Sequence, residues 1–169
     1  MMRSQEQGSL LLNIALVLSI LLVLMSIAIP RLPFMQRMVL RLELEKMHSF
    51  FHYMQQRALA LHEDLTITFD PIHNRYYADT YKESLAPGVQ FGVLLGSSGP
   101  PSKPSGQILS PITFKNNKAV FYKDGTIAAG TVYITDHSKH YLYALSSPVS
   151  QISYLRMYSY ARNRWIPLQ

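Results

Sequence analysis

Histidine side chains are the first candidates for chemistry in this sequence, because they bind metals and transfer protons at neutral pH. His48 and His52 are four residues apart, a spacing that places both imidazoles on one face of a helix, where they could share a metal ion. No third ligand accompanies them in the sequence, and His137 and His140 fall in or beside a predicted turn. We therefore expect ordinary, partly exposed histidines and no metal site.

Catalytic and calcium-binding motifs are not found. Asp64, Asp70, Asp124 and Asp136 do not form the D-x-[DN]-x-[DN]-G pattern of a calcium loop. No serine lies in G-x-S-x-G, and the chain contains no H-E-x-x-H, P-loop or G-x-G-x-x-G motif. The sequence has no cysteine, which excludes disulfides and thiolate metal sites. We predict a protein that is not an enzyme and needs no cofactor.

A basic and aromatic segment near the C-terminus is a candidate for nucleic-acid binding. The segment YLRMYSYARNRW contains Arg156, Arg162 and Arg164 among four aromatic residues. Arginines bind phosphates and aromatic faces stack on bases, as in proteins that bind single strands. A final strand with alternate residues facing water would have the same composition, so both interpretations stay open. The whole chain has 16 Lys and Arg against 10 Asp and Glu, which suits anionic lipids, acidic proteins or nucleic acid equally.

A β-rich region follows residue 63. Its short segments alternate apolar and polar residues and are rich in β-branched and aromatic side chains. Turn residues such as Asp124-Gly125 separate them and predict mostly antiparallel pairing, and GSSGPPSKPSG (96–106) predicts an exposed loop. The predicted strands are LTITF (65–69), RYYADTY (75–81), VQFGVLL (89–95), PITF (111–114), KAVFY (118–122), TVYITD (131–136), HYLYAL (140–145) and ISYLRMYSY (152–160).

An amphipathic helix is predicted before this region, over residues 31–62. Apolar residues recur there at alternating steps of three and four, which is the spacing of one helical face. This apolar stripe consists of Leu40, Leu44, Met47, Phe51, Met54, Ala58 and Leu61. Such a stripe favours packing into a domain core over an oligomer seam. The predicted fold class is α+β, with a long helix packed on an antiparallel β-domain.

The N-terminal stretch predicts a membrane helix. Leu10–Ile29 is twenty residues long and is interrupted only by Asn13, Ser19 and Ser26, and a helix of this length spans about 30 Å. A secretory signal would have a shorter apolar region followed by a small-residue cleavage site. Pro30 and Pro33 predict a bend after the apolar segment.

The N-terminus resembles the prepilin leader of type IV pilins and type II secretion pseudopilins. The resemblance rests on Gly8 directly before the apolar run and on Pro30 at its end. It implies cleavage after Gly8 by a prepilin peptidase and methylation of Ser9. The family usually has Phe as the first mature residue and Glu as the fifth, where this chain has Ser9 and Asn13. A neutral amide at Asn13 cannot neutralise a neighbour's amine as a carboxylate can, which favours a minor subunit.

The rest of the chain resembles the GspH/FimT-like pseudopilin domain. Three short motifs match: Arg57-Ala58 late in the helix, Ile112-Thr113-Phe114, and Gly125-Thr126-Ile127. The Gly-Arg pair that usually ends this domain is absent, and Tyr154-Leu155-Arg156 is the nearest equivalent. The resemblance implies a pilin-like fold over nearly the whole chain.

Together these resemblances imply a minor pseudopilin or minor pilin that acts in fibre assembly and protein export. The implied divisions are a leader (1–8), a transmembrane assembly helix (9–30), an amphipathic helix (31–62) and a periplasmic β-domain (63–169), on a single-pass inner-membrane anchor. Partners would be other pilins through their N-terminal helices, the prepilin peptidase, and a secreted substrate or DNA. Asn13 would contribute to assembly and Pro30 to the bend. The alternatives are a FimT-like DNA receptor using Arg156, Arg162 and Arg164, and a plain anchored periplasmic domain.

Overall fold

A computed structural model describes residues 3–28, 33–79, 81–97, 99–101, 106–149 and 154–168. The chain divides into two compact units, Met1–Gln36 and Arg37–Gln169. Helix α1 spans Arg3–Ala28, and its side chains are described from Leu12 to Ser26. Leucine, which favours helix, dominates this segment. Among the described residues, no helix combines the length and the apolar character that crossing a membrane requires.

Helix α2 spans Pro33–Leu61, close to the predicted bounds of the amphipathic helix. Proline suits the first helical position, where its missing N–H would have no partner and its fixed φ is already helical. At the other end, His62 has a φ of +56°, and the Glu63 N–H donates to the Ala58 carbonyl at 3.3 Å. This left-handed ending satisfies a carbonyl of the last turn and stops the helix.

Two antiparallel sheets complete the fold. The strands are β1 (Leu65–Asp70), β2 (Arg75–Ala78), β3 (Tyr81–Ser84), β4 (Val89–Phe91), β5 (Lys118–Phe121), β6 (Gly130–Asp136), β7 (Leu142–Ser147), β8 (Arg156–Ala161) and β9 (Arg164–Leu168), with a 3-10 turn at Lys115–Asn117. The first sheet has the order β3-β2-β1-β5 and the second β4-β6-β7-β8-β9. The predicted α+β class with antiparallel pairing is confirmed.

The apolar stripe of α2 forms the centre of the core. Six of its seven predicted members are at most 1% exposed, and they pack with side chains of both sheets: Leu40, Leu44, Met47, Phe51, Met54 and Ala58. The prediction was wrong for Leu61, which is 49% exposed. Leu61 is the last residue of α2, so the helix ends before this side chain can reach the sheets.

The predicted strands 75–81 and 89–95 both end early in the structure. The segment 75–81 is a hairpin rather than one strand, because Asp79 has a φ of +50° and the chain turns there, so that Tyr81 pairs back with Ala78. Aspartate tolerates this left-handed conformation better than most residues. The segment 89–95 is a strand only as far as Phe91.

The segment 111–114 is not a strand, although its residues lie beside β6. Ile112 makes a single bridge with Val132. Pro111 has no N–H to donate and contributes only its carbonyl, which accepts the Tyr133 N–H at 2.8 Å. The proline therefore explains why pairing does not extend into a ladder.

The motifs that resemble the GspH/FimT-like domain contribute to packing. Ala58, Phe114 and Ile127 are buried. Gly125 has a φ of +81°, and its carbonyl accepts a hydrogen bond from the Gln55 side chain at 2.6 Å, which ties this turn to α2. Glycine adopts such a φ without steric cost.

Candidate functional site

The first candidate site is the surface of α1. Every described side chain from Leu12 to Ser26 is exposed. Eleven of them are large and apolar, with exposed fractions between 46% at Leu21 and 68% at Leu12. A contiguous apolar surface of this kind marks a site that contacts lipid or another protein.

The two serines among the described side chains of α1 bond to the backbone of the helix. The Ser19 hydroxyl donates to the Ala15 carbonyl and the Ser26 hydroxyl to the Val23 carbonyl, each at 2.8 Å. Both donors are therefore satisfied by the helix's own backbone. Asn13 lies near the start of the described apolar surface, and its side chain is exposed.

The other predicted assembly residues are only partly described. Gly8 and Ser9 lie within the backbone of α1, and Pro30 lies outside the described residues. Cleavage after Gly8, methylation of Ser9, the subunit contact of Asn13 and the bend at Pro30 therefore stay predictions.

The second candidate site is the hairpin formed by β8 and β9, which carries the three predicted DNA-binding arginines. The sequence prediction missed β9. Arg162 and Asn163 form a two-residue turn with φ values of +52° and +59°, and Ala161 pairs with Arg164 on either side of it. Two consecutive residues with positive φ characterise the type I′ hairpin turn, for which Asn-Gly is the usual sequence signal. Asn163 was a partial signal for this turn. It is the second residue of the Arg-Asn pair, so the pair does not match the usual Asn-Gly pattern.

The hairpin does not bring the three arginines together. Arg156 begins β8 and Arg162 lies in the turn, six residues later, so roughly 20 Å of strand separates them. Arg164 and Trp165 are neighbours in β9, which places their side chains on opposite faces of the sheet. A single strand of nucleic acid that stacked on Trp165 would therefore have Arg164 behind the sheet.

Arg156 is held by neighbouring tyrosines. Its guanidinium carbon lies 5.0 Å from the centre of the Tyr154 ring, within cation–π range. A hydrogen bond to the Tyr158 hydroxyl raises the pKa of Arg156. DNA binding through Arg156, Arg162 and Arg164 stays a prediction.

Trp165 lies in an aromatic cluster on one face of the second sheet. Its ring centre is 5.1 Å from that of Tyr160, 5.8 Å from Tyr133 and 6.4 Å from Tyr158. Its indole N–H donates to the Gly99 carbonyl at 2.7 Å, within the segment predicted as an exposed loop. Tyr133 was not predicted to belong to this cluster, although its alternation with Val132 and Ile134 in β6 places it on this face.

The histidine and aspartate candidates are dispersed. The rings of His48 and His52 are 4.7 Å apart, and burial together with His52 lowers the pKa of His48. His140 Nδ1 lies 3.6 Å from the buried Asp136 Oδ2. Across the described ranges, no group of three His, Cys, Asp or Glu residues could hold a metal ion.

The other aspartates considered for calcium binding stabilise separate turns. Asp64 Oδ1 accepts the Lys123 N–H at 2.9 Å. Asp70 accepts hydrogen bonds from Arg75 and the His73 N–H. Asp124 accepts from the side chain and the backbone of Thr126, which lowers the pKa of this aspartate. These contacts explain the aspartates through local structure.

One buried acidic group, Glu43, was not predicted from the sequence. Glu43 is only 5% exposed, next to the stripe residue Leu44. Burial raises the pKa of Glu43, while Lys46 and the Ala86 N–H oppose the rise. Burial also raises the pKa of Tyr76, with Glu43 contributing. The position of Glu43, three residues after Leu40, was a signal that it faces inward.

Comparisons with known proteins add one similarity of fold. No family model matches the sequence, and no curated protein matches it. Among solved structures, the chain is similar to the minor pseudopilin EpsH from the type 2 secretion system of Vibrio cholerae, with a TM-score of 0.49 and 12% sequence identity. The similarity covers 70% of this chain and 95% of that chain. Because the sequence identity and the TM-score are both low, the function has to be inferred from the residues of this chain.

Proposed function

We propose that this protein is a membrane-anchored subunit of a pilus-like fibre, a minor pseudopilin or minor pilin of a type II secretion or type IV pilus machine. The observation that carries the proposal is the uncovered apolar surface of α1. The role is structural: the protein acts in fibre assembly and protein export and catalyses no reaction.

The size of the apolar surface supports this proposal. Fully burying one large apolar side chain contributes about 1.5–3 kcal/mol, so covering eleven half-exposed ones contributes roughly 10 kcal/mol or more. That is comparable to the whole stability of a folded domain, about 5–15 kcal/mol. A surface of this kind needs a stable apolar environment. Lipid supplies one before assembly, and the helices of neighbouring subunits supply one in the fibre.

The N-terminal residues have distinct roles in this proposal. The prepilin peptidase recognises Gly8 and cleaves after it, and Ser9 becomes the methylated N-terminus. Asn13 contacts a neighbouring subunit with a neutral hydrogen bond, and Pro30 bends the chain between the two helices. The anchor crosses the inner membrane once and the β-domain lies in the periplasm. The partners are the helices of other pilins or pseudopilins and, on the β-domain, a secreted substrate.

The test is the state of the mature N-terminus. The full chain is expressed in cells that contain a prepilin peptidase, and the purified protein is analysed by mass spectrometry. We expect a chain that begins at Ser9 and carries one methyl group. Gly8→Leu should abolish cleavage because the leucine side chain occupies the recognition position. Gln7→Leu, the same new side chain one residue earlier, is the control and should be cleaved.

Two results would contradict the proposal. An intact Met1 in the wild-type chain would instead support a plain anchored domain. Cleavage of Gly8→Leu with unchanged secretion or piliation would exclude the role of Gly8.

A further inference from the structure

A cavity of about 340 Å³ lies at the end of the second sheet, beside the turn between β8 and β9. We call it the arginine cavity. Its walls include Arg37, His140, Tyr141, Tyr143, Tyr160 and Arg162. All of these residues belong to the unit Arg37–Gln169, so nothing that follows depends on α1 or on the proposed function.

The fold brings the two arginines to this cavity from distant parts of the sequence. Arg37 lies in the second turn of α2, and Arg162 lies in the hairpin turn. The Arg37 guanidinium donates a hydrogen bond to the Tyr143 hydroxyl, which raises the pKa of Arg37. Tyr143 is only 4% exposed. A buried hydroxyl on β7 therefore interacts with one of the two cations.

The charges at the cavity are mainly positive. No acidic side chain is among the described residues that line it. The carboxylate of Asp136, which bonds to residues of the cavity wall, is 1% exposed. Asp136 Oδ1 accepts the N–H groups of His140 and Tyr141 at 2.7 and 2.8 Å. Asp136 therefore fixes the backbone of the cavity wall at His140 and Tyr141. Because this carboxylate is buried, Arg37 and Arg162 are the charged groups that a ligand in the cavity would meet.

Size and chemistry narrow the class of ligand. Small-molecule sites usually measure about 300–1,000 Å³, so the arginine cavity is at the lower limit and suits one or two side chains. Arginine binds planar carboxylates with two parallel hydrogen bonds. Tyr141 and Tyr160 are partly exposed and contribute ring surface and hydroxyl groups to the cavity wall. These features fit a carboxylate at the end of a short aliphatic stem.

We propose that the arginine cavity binds a Glu or Asp side chain from an acidic segment of a partner polypeptide. Arg37 and Arg162 contact the carboxylate, and the tyrosine rings contact its stem. Nucleic acid fits less well, because Arg156 lies at the far end of β8 and Trp165 is already engaged with three tyrosines and Gly99.

The experiment measures peptide binding by fluorescence anisotropy, with the full chain in a nonionic detergent. The probe is a labelled Gly-Ser peptide that contains a central run of Glu and Asp. The matched probe has Gln and Asn at those positions, and a third probe is a single-stranded oligonucleotide of equal formal charge. We expect the acidic peptide to bind at least about tenfold more tightly than the amide peptide. The Gln and Asn side chains of the amide peptide carry no charge, so they cannot form charge-assisted hydrogen bonds with the arginines.

Matched variants locate the site. Arg37→Gln and Arg162→Gln should each weaken binding of the acidic peptide by about tenfold. Arg41→Gln, one turn further along α2, and Arg164→Gln, two residues further along the hairpin, remove the same charge outside the cavity. They should change binding by less than about twofold, because neither lines the cavity and only the screened long-range attraction is lost. All four arginines are exposed, so circular dichroism should show that each variant folds.

Three results would overturn the proposal: no binding of the acidic peptide, tighter binding of the oligonucleotide, or equal weakening by the control variants. The last result would indicate attraction by overall charge. Arg162→Glu adds a second measurement, because charge reversal should remove binding of the acidic peptide and leave the secondary structure unchanged.

Discussion

The two helices are similar in length, 26 residues in α1 and 29 in α2, but their apolar residues differ in arrangement and burial. In α2 they form one stripe, and the sheets bury it almost completely. In α1 they occur on all sides, and every described side chain is exposed. A one-sided stripe is satisfied by a single packed domain, whereas an all-round apolar helix needs a surrounding apolar environment. The difference indicates which helix stabilises the fold and which one leaves its apolar surface uncovered.

The largest expected effect comes from truncating the stripe. Phe51 is fully buried, and its ring centre is 5.3 Å from that of Phe121. Phe51→Ala should lower the free energy of unfolding by about 3–5 kcal/mol, because it leaves a cavity. The control is Leu18→Ala in α1, which should leave this free energy unchanged. Urea titration followed by fluorescence of the single tryptophan, Trp165, measures both. Equal destabilisation by both variants would remove the distinction between the helices.

A charge placed on α1 should have the next largest effect. Ile20 is 52% exposed near the middle of the apolar segment, and Ile20→Lys should make membrane insertion less favourable by about 2.5–3.5 kcal/mol. Ser49→Lys places the same charge on the exposed side of α2, where no loss is expected. Carbonate extraction of membranes measures the retained fraction. Unchanged retention and assembly of the Ile20 variant would contradict the proposed membrane role of α1.

Removing the buried hydrogen bond between Gln55 of α2 and the turn at Gly125 should have a smaller effect. The Gln55 amide donates to the Gly125 carbonyl at 2.6 Å. Gln55→Ala leaves that carbonyl without this donor and should lower the free energy of unfolding by about 1–3 kcal/mol. Gln56→Ala, at the next and exposed position, should change it by less than about 0.5 kcal/mol. The same urea titration compares them, and equal effects would show that the contact does not stabilise the turn.

The smallest expected effect is a pH dependence from Glu43. Burial raises its folded-state pKa above the ordinary value of 4.5. The folded state therefore favours the protonated form, and stability is lost as the pH rises from the unfolded-state pKa through the folded-state pKa. Glu43→Gln should stabilise the protein relative to wild type more at pH 7 than at pH 4. The lowered pKa of His48 affects both proteins equally and cancels in the difference.

The matched control for this pH dependence is Glu45→Gln, which removes the exposed carboxylate that pairs with Arg41 at 2.9 Å. Exposed ion pairs contribute little, so its effect should be below about 0.5 kcal/mol and nearly constant with pH. A stability difference for Glu43→Gln that does not change with pH would contradict the role of burial. Unfolding curves at several pH values measure both.

The parts of the fold that the sequence predicted depend on nearby residues. The stripe from Leu40 to Ala58 follows from helical periodicity, and the turn at Asp124-Gly125 follows from the conformational freedom of glycine. The errors occurred where neighbouring residues gave weak signals. Asp79 and the pair Arg162-Asn163 make turns with positive φ without a glycine. For this reason β2 and the start of β3 were predicted as one strand, and β9 was not predicted.

Candidate sites formed by neighbouring residues could be proposed from the sequence, and those formed by distant residues could not. The apolar segment and the leader-like pattern at Gly8 are continuous in sequence, so both could be proposed from it directly, and cleavage after Gly8 stays a prediction. The three C-terminal arginines looked like one site because they are close in sequence, but strand length and alternation separate them. The arginine cavity could not be predicted, because Arg37 and Arg162 lie near opposite ends of the sequence of the unit Arg37–Gln169.

The sequence by itself determined the helical stripe, most of the strands and the apolar N-terminal segment, because each is a periodic or compositional pattern among residues a few positions apart. Only the tertiary structure decided that Arg37 and Arg162 share a cavity, that Trp165 bonds to Gly99, and that Arg156 lies away from both other arginines. Those relations depend on the order in which strands pair and on the face each side chain occupies. Both are set by the burial of the whole core rather than by any local segment.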